Sequence, residues 1–187
     1  MLRPILGLSL VLVLAVGAVR VAAEGTAKSG PAAGEQVPGP FHPLNVTGEH
    51  AGQKACLYCS NGPNPVAVVF AREVTPQVTM LLKKLDEATV KNSKKDMGSY
   101  AVFCSDKDGL ADQLKKVAGD EKLKNLILSI DNPSGPKAYN IAKDADVTVL
   151  LYNDFTVRAN HAFKKGERNA KSVERVVADV AKIIPQN

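Results

Sequence analysis

Three cysteines carry the plainest chemistry in this 187-residue chain: Cys56, Cys59 and Cys104. Cys56-Leu57-Tyr58-Cys59 is a CxxC, a spacing that lets two sulfurs close on each other or pass electrons as a dithiol couple. Four states of the pair are open: a structural disulfide, a working redox couple, a metal site and two free thiols. An oxidising compartment makes the last the least favoured. A metal needs further ligands, and the histidines, His42, His50 and His161, are scattered. No metal and no cofactor is expected. Ser60-Asn61-Gly62-Pro63-Asn64-Pro65 reads as a turn, so no helix is expected to start at the pair. Activation would then fall to cations such as Lys54, and one exposed, screened lysine shifts a thiol little. Cys104 ends an apolar run and reads as a buried small hydrophobe or as a resolving or sensing thiol that exchanges with Cys56 or Cys59. His161 is expected to be at the surface or hydrogen-bonded. Asn45-Val46-Thr47 fits an N-glycosylation acceptor, a pattern with meaning only in a eukaryotic secretory pathway.

The elements that must position these residues follow from hydrophobic period. Pro65–Phe70, Tyr100–Cys104, Leu126–Ile130 and Val147–Tyr152 are short continuous apolar runs, the pattern of strands covered on both faces. Between them, Val78, Leu81, Leu82 and Leu85 recur at helical spacing behind Thr75-Pro76, a helix N-cap followed by a first-turn proline. Asp108 is expected to cap a helix carrying Leu110, Leu114, Val117 and Ala118. Asp131-Asn132-Pro133 turns into a short helix ending near Ala142. Asn153-Asp154 folds Val157–Ala162 back as a hairpin. Val173, Val176, Val177, Val180, Ile183 and Ile184 mark a last helix. Strands alternating with helices predict an α/β fold: a central, mostly parallel sheet with an antiparallel edge hairpin and helices on both faces.

The amino end is of another kind. Met1-Leu2-Arg3, an apolar run from Ile5 to Val19, and Val21-Ala22-Ala23 have the parts of a secretory signal peptide over residues 1–23. The run is shorter than the roughly 20 residues of a membrane-spanning helix. Residues 24–40 are rich in Gly, Pro, Ala and charge and are expected to form a flexible leader. Residues 41–187 then form one domain. Cleavage after Ala23 removes two of 24 cationic residues and none of 19 acids, leaving a net charge of +3. With that mild charge and no tryptophan, nucleic acid is not an expected partner, and a cleaved chain has no segment for stable membrane insertion. Secreted or periplasmic residence is the expectation.

The order β-α-β-α-β-α-β-β-α resembles the thioredoxin-like superfamily, closest in pattern to its peroxiredoxin/redoxin branch. The resemblance rests on Val102-Phe103-Cys104-Ser105-Asp106, Leu128-Ser129-Ile130-Asp131, Pro136-Lys137-Ala138-Tyr139-Asn140-Ile141 and Asp146–Asp154, with Phe41–Gly48 similar to the family's N-terminal hairpin. It implies a thioredoxin-like fold over about residues 41–184. It also implies a reactive cysteine just after the central strand, where helix N–H groups stabilise a thiolate. The matching stretch, Phe70–Gln77, holds no cysteine, and Thr75 there reads as a cap. Val147 stands where thioredoxins carry a proline before the closing strand. Two functions remain open: an exported thiol–disulfide oxidoreductase using Cys56 and Cys59, with thiol or disulfide proteins as partners, and a non-catalytic binding or structural module whose CxxC is a staple.

Overall fold

Apolar runs along the chain assemble into one six-stranded sheet in a computed structural model that describes residues 27–186. The expected signal peptide, 1–23, lies outside the described residues. The strands are β1 (Leu44–Asn45), β2 (Val66–Ala71), β3 (Gly98–Cys104), β4 (Ile127–Asp131), β5 (Val147–Asn153) and β6 (Thr156–Phe163). Their order across the sheet is β1-β4-β3-β2-β5-β6. β2, β3 and β4 run parallel at the centre. β1, β5 and β6 join antiparallel at the two sides. This is the expected sheet. β2 is buried at every position, as its unbroken apolar run requires.

One face carries the long helices α2 (Pro76–Lys91), α3 (Leu110–Asp120) and α4 (Ala170–Asp179). Leu81, Leu82, Leu85, Leu114 and Val176 pack there on Val69 and Ala101. α2 opens as its sequence demands: the Thr75 hydroxyl accepts from the Val78 N–H at 3.2 Å, and Pro76 takes the first turn. α3 differs from expectation. Gly109, with φ of 73°, holds the N-cap position instead of Asp108, because a residue without Cβ makes the left-handed turn at no steric cost. α4 opens on a reciprocal box between Asn169 and Ser172. Its stripe continues through a 3-10 turn, Val180–Lys182, to the buried Ile183.

The opposite face is covered more thinly. Over Val68, Phe70, Tyr100 and Tyr152 lie a one-turn helix α1 (Leu57–Asn61), a 3-10 turn at Lys137–Tyr139 and the extended stretch around Val37. The short helix expected to end near Ala142 is reduced to that 3-10 turn. A proline at 136 and a left-handed Asn140 bound it on either side.

The expected flexible leader is corrected for its described part. Residues 27–40 lie along the outer side of β6 and onto the thin face. Gly34 donates to Val157 O, Val157 to Glu35 O, and Val37 to Phe155 O at 2.7 Å. The Ser29 hydroxyl meets Thr148 Oγ1 at 2.7 Å, and Val37 and Ser29 are each 5% exposed. Composition suggested disorder because large apolar residues are scarce here. The unpaired backbone edge of β6 supplies hydrogen-bond partners that composition does not record.

Candidate functional site

Cys56 and Cys59 are joined as a disulfide with Cα atoms 5.2 Å apart. Contrary to the expectation of a bare turn, the helix α1 does start at the pair, and Cys56 is its N-cap. The Cys59 N–H donates to Cys56 Sγ at 3.1 Å. Three features make a helix of so few residues persist. Leu57 is 2% exposed and anchors it to the sheet. The Asn61 side-chain amide donates to Leu57 O at 2.7 Å. Gly62, at φ of 56°, ends it by donating to Tyr58 O. The Ser60–Pro65 turn signals were therefore a helix stop, with the helix in front of them.

The two sulfurs stand in unlike surroundings. Cys59 is exposed, while Cys56 is half-buried behind it. Tyr58, between them, packs its ring on Phe155 with centroids 5.4 Å apart. Phe155 belongs to the β5–β6 turn, which is tied to the loop behind the disulfide by the Asp154 N–H donating to Pro63 O at 2.8 Å. At the other end of α1, the Asn61 amide fills the space that a Cβ on Gly98 would need, so the start of β3 must be glycine. The pair therefore sits over the end of the sheet where β2 and β3 begin.

The place after the central strand, where the resemblance puts a thiol, is at the opposite end and is filled by structural contacts. Arg72 donates to the carbonyls of Pro133, Ala142 and Ala145 at 2.6–2.9 Å and binds down the loop before β5. Arg168, only 6% exposed at its side chain, pairs with Asp146 at 2.7 Å and reaches Thr75 Oγ1 at 3.4 Å. Thr75 is thereby committed as a cap.

Cys104 is 3% exposed. Burial pushes its thiol up to about 12, against a smaller lowering by the Arg72 charge and a further rise from Asp131. It ends β3, seven residues long and so about 20 Å from the strand's start. The structure does not bring it to the pair, so a resolving role for Cys104 is not supported by its position. Its environment is that of a small core hydrophobe, with Gly135 leaving it room: a Cβ there would lie 3.1 Å from Cys104 Sγ.

His161 is fully buried and its Nε2 lies 3.1 Å from Asp179 Oδ2, joining β6 to the end of α4. The acceptor-like Asn45 is 1% exposed, and Thr47 Oγ1 receives the Leu128 N–H at 2.8 Å. That tripeptide is structural in the folded chain. His42, His50 and His161 are not brought together with the cysteines; no group of three or more His, Cys, Asp or Glu placed to hold a metal occurs among the described residues.

Sequence reasoning missed the phenolic layer beneath α1. All four tyrosines of the chain, Tyr58, Tyr100, Tyr139 and Tyr152, influence one another there. Burial and the neighbouring phenols push the Tyr100 hydroxyl well above its ordinary range, and burial raises Tyr139 and Tyr152 as well. Tyr100, Tyr139 and Tyr152 therefore keep their protons, and the Tyr139 hydroxyl donates to Gly39 O at 2.8 Å. The only signal was their placement within the apolar runs.

No family model matches the chain, and no curated protein matches it in sequence. Solved structures do. A secreted disulfide oxidoreductase of Mycobacterium tuberculosis, homologous to Escherichia coli DsbE, superposes with a TM-score of 0.56 at 11% identity, covering 75% of this chain and 94% of its own. The peroxidoxin BcpB of the same organism gives 0.59 at 14% identity, covering 83% and 99%. The thioredoxin domain of a thiol–disulfide oxidoreductase from Bacteroides vulgatus gives 0.56 at 14% identity, covering 80% and 97%. At such identities the likeness is one of fold, and that fold is thioredoxin-like.

Proposed function

We propose that this thioredoxin-fold protein is an extracytoplasmic thiol–disulfide exchange protein that works through Cys56–Cys59, with Cys59 the sulfur that partners reach. The observation that carries the reading is the asymmetry of the pair. Cys59 faces solvent, and Cys56 lies behind it with the Cys59 amide on its sulfur. An incoming thiolate attacks Cys59 Sγ. The S–S bond breaks, and its electron pair stays on Cys56 Sγ, where the amide hydrogen bond favours the thiolate. The partner is then joined to Cys59 as a mixed disulfide. A second thiolate of the partner attacks the partner's own sulfur, Cys59 leaves as thiolate, and the partner carries the new disulfide. Two thiols are oxidised, one disulfide is reduced and two protons go to solvent or to the leaving thiolates. With a reduced pair and a disulfide partner, the same steps run backwards.

Extracytoplasmic residence is supported by the basic, apolar and small-residue order of residues 1–23 and by a cysteine pair suited to an oxidising compartment. No helix among the described residues is long and apolar enough to cross a membrane. A staple is the competing reading, favoured by one observation: Leu57 seats α1 in the thin face, so the disulfide also fixes part of the core cover.

Equilibration of the purified protein with glutathione, together with oxidation of a reduced model peptide, separates the two. Exchange predicts a potential above roughly −300 mV and catalysis abolished by Cys59→Ser. A potential below that value with no catalysis makes the pair a staple.

A further inference from the structure

We propose that Tyr58 and Phe155 form an aromatic docking surface beside Cys59, and that it selects polypeptide partners whose reacting cysteine is flanked by an apolar or aromatic side chain. This rests on the exchange reading above and adds to it what kind of partner is taken.

Geometry brings the flanks of a partner to these two rings. A sulfur bonded to Cys59 holds its own Cα within about 4.4–6.8 Å of the Cys59 Cα. The next residue of that chain is about 3.8 Å farther. Flanking side chains therefore fall on the surface around Cys59, and Tyr58 is its immediate neighbour, with the Phe155 ring 5.4 Å beyond. Both residues are half-buried, so part of each stays open to solvent beside the exposed Cys59.

Phe155 is also unusual in its backbone. Asp154 and Phe155 occupy the turn with φ of 50° and 55°, the left-handed region where a hairpin of this kind normally uses Asn and Gly. A bulky aromatic residue there is a true outlier. Chain closure does not need it, since glycine would close the turn without strain. What the phenylalanine adds is its ring against Tyr58. The turn that carries it is held from three sides: by Pro63 O, by Val37 N–H on Phe155 O, and by Gln36 Nε2 on Thr156 Oγ1 at 3.0 Å. Strain kept in place by such over-determination is the pattern of a residue retained for contact.

The test compares Phe155→Gly and Phe155→Asn with the unaltered protein, since both substitutions suit a left-handed residue and keep the turn. Each oxidised protein is reacted with dithiothreitol and with two dicysteine peptides that differ only in Phe or Ser beside the cysteine. The expected result is an unchanged rate with dithiothreitol, and a preference for the Phe-flanked peptide of about 3- to 10-fold that disappears in both variants. Equal rates for the two peptides with the unaltered protein overturn the proposal, as does an equal loss with dithiothreitol. A second measurement keeps this apart from the exchange reading. Binding of the same peptides with serine for cysteine is followed through the Tyr58 and Phe155 ring protons by NMR. Phe-dependent shifts without any exchange chemistry sink the redox reading and uphold the surface. Exchange without such shifts does the reverse.

Discussion

A cysteine's environment decides whether its sulfur reacts, and Cys104 and Cys59 are opposites in this respect. Buried Cys104 holds its proton up to about pH 12 in the folded chain, whereas an unfolded thiol releases it near pH 8.5. In that interval the folded state binds the extra proton, so stability is full below about pH 8.5 and falls as pH rises, by at most about 1.4 kcal/mol per pH unit. Urea unfolding of the oxidised protein between pH 8 and 9.5 should show this decline, and Cys104→Ala should flatten it. The buried tyrosines add a shallower decline toward the upper end of this range, where unfolded phenols begin to ionise, and Cys104→Ala leaves that part in place. A slope equal in both proteins would show that Cys104 is not shielded. Thr75 offers a second residue-level check. As a cap, its change to alanine should cost about 1 kcal/mol of stability and leave thiol exchange untouched. A loss of exchange at full stability would give Thr75 a chemical role instead.

Elements here are held by single polar groups that periodicity does not flag. Asp86, on α2, is 5% exposed, and its carboxylate accepts the N–H groups of Lys124, Asn125 and Leu126 at 2.7–3.1 Å. It fixes the turn that delivers β4 to the sheet. Asp86→Ala leaves three buried or half-buried amides without a partner and should lower stability by about 2–4 kcal/mol in a chemical denaturation curve. A change below about 0.5 kcal/mol would mean that water replaces the carboxylate fully. The same contrast explains what could be read in advance. β2 to β6, α2 and α4 were legible because an apolar run or stripe states its own burial. Asp86 was not, since its partners lie some forty residues away. α1 was hidden because five residues cannot show a helical period, and the Gly62 that ends it reads equally well as part of a turn. The site suffered most. The CxxC was visible as chemistry, but its seat at the opposite end of the sheet from the fold's usual reactive place depended on α1, Gly98 and the Phe155 turn acting together.

At the scale of the molecule, the segment 27–37 covers the first part of the outer edge of β6. The β5–β6 turn and the start of β6 would otherwise present free backbone groups at Phe155 and Val157, the kind of edge that recruits another strand. Instead Gly34, Glu35 and Val37 pair with it, and Val37 enters the thin core. The segment also holds the Phe155 turn, so the sheet edge and the surface beside Cys59 depend on one strip of chain. A protein beginning at residue 38 should therefore lose stability by about 2–4 kcal/mol, from one buried valine and a few backbone hydrogen bonds offset by the entropy of ordering the strip. It should also self-associate at concentrations where a protein beginning at residue 27 stays monomeric, because the exposed edge can pair with its copy. Sedimentation velocity reads the second effect and thermal or urea unfolding the first. An unaltered unfolding midpoint and an unaltered sedimentation coefficient per unit mass would return residues 27–37 to the status of a loose leader. If the two effects appear together with a loss of Phe-flanked peptide preference while dithiothreitol still reacts, the strip sets the recognition surface as well as the edge. If stability falls but peptide preference survives, the Phe155 turn holds its shape through Pro63 alone.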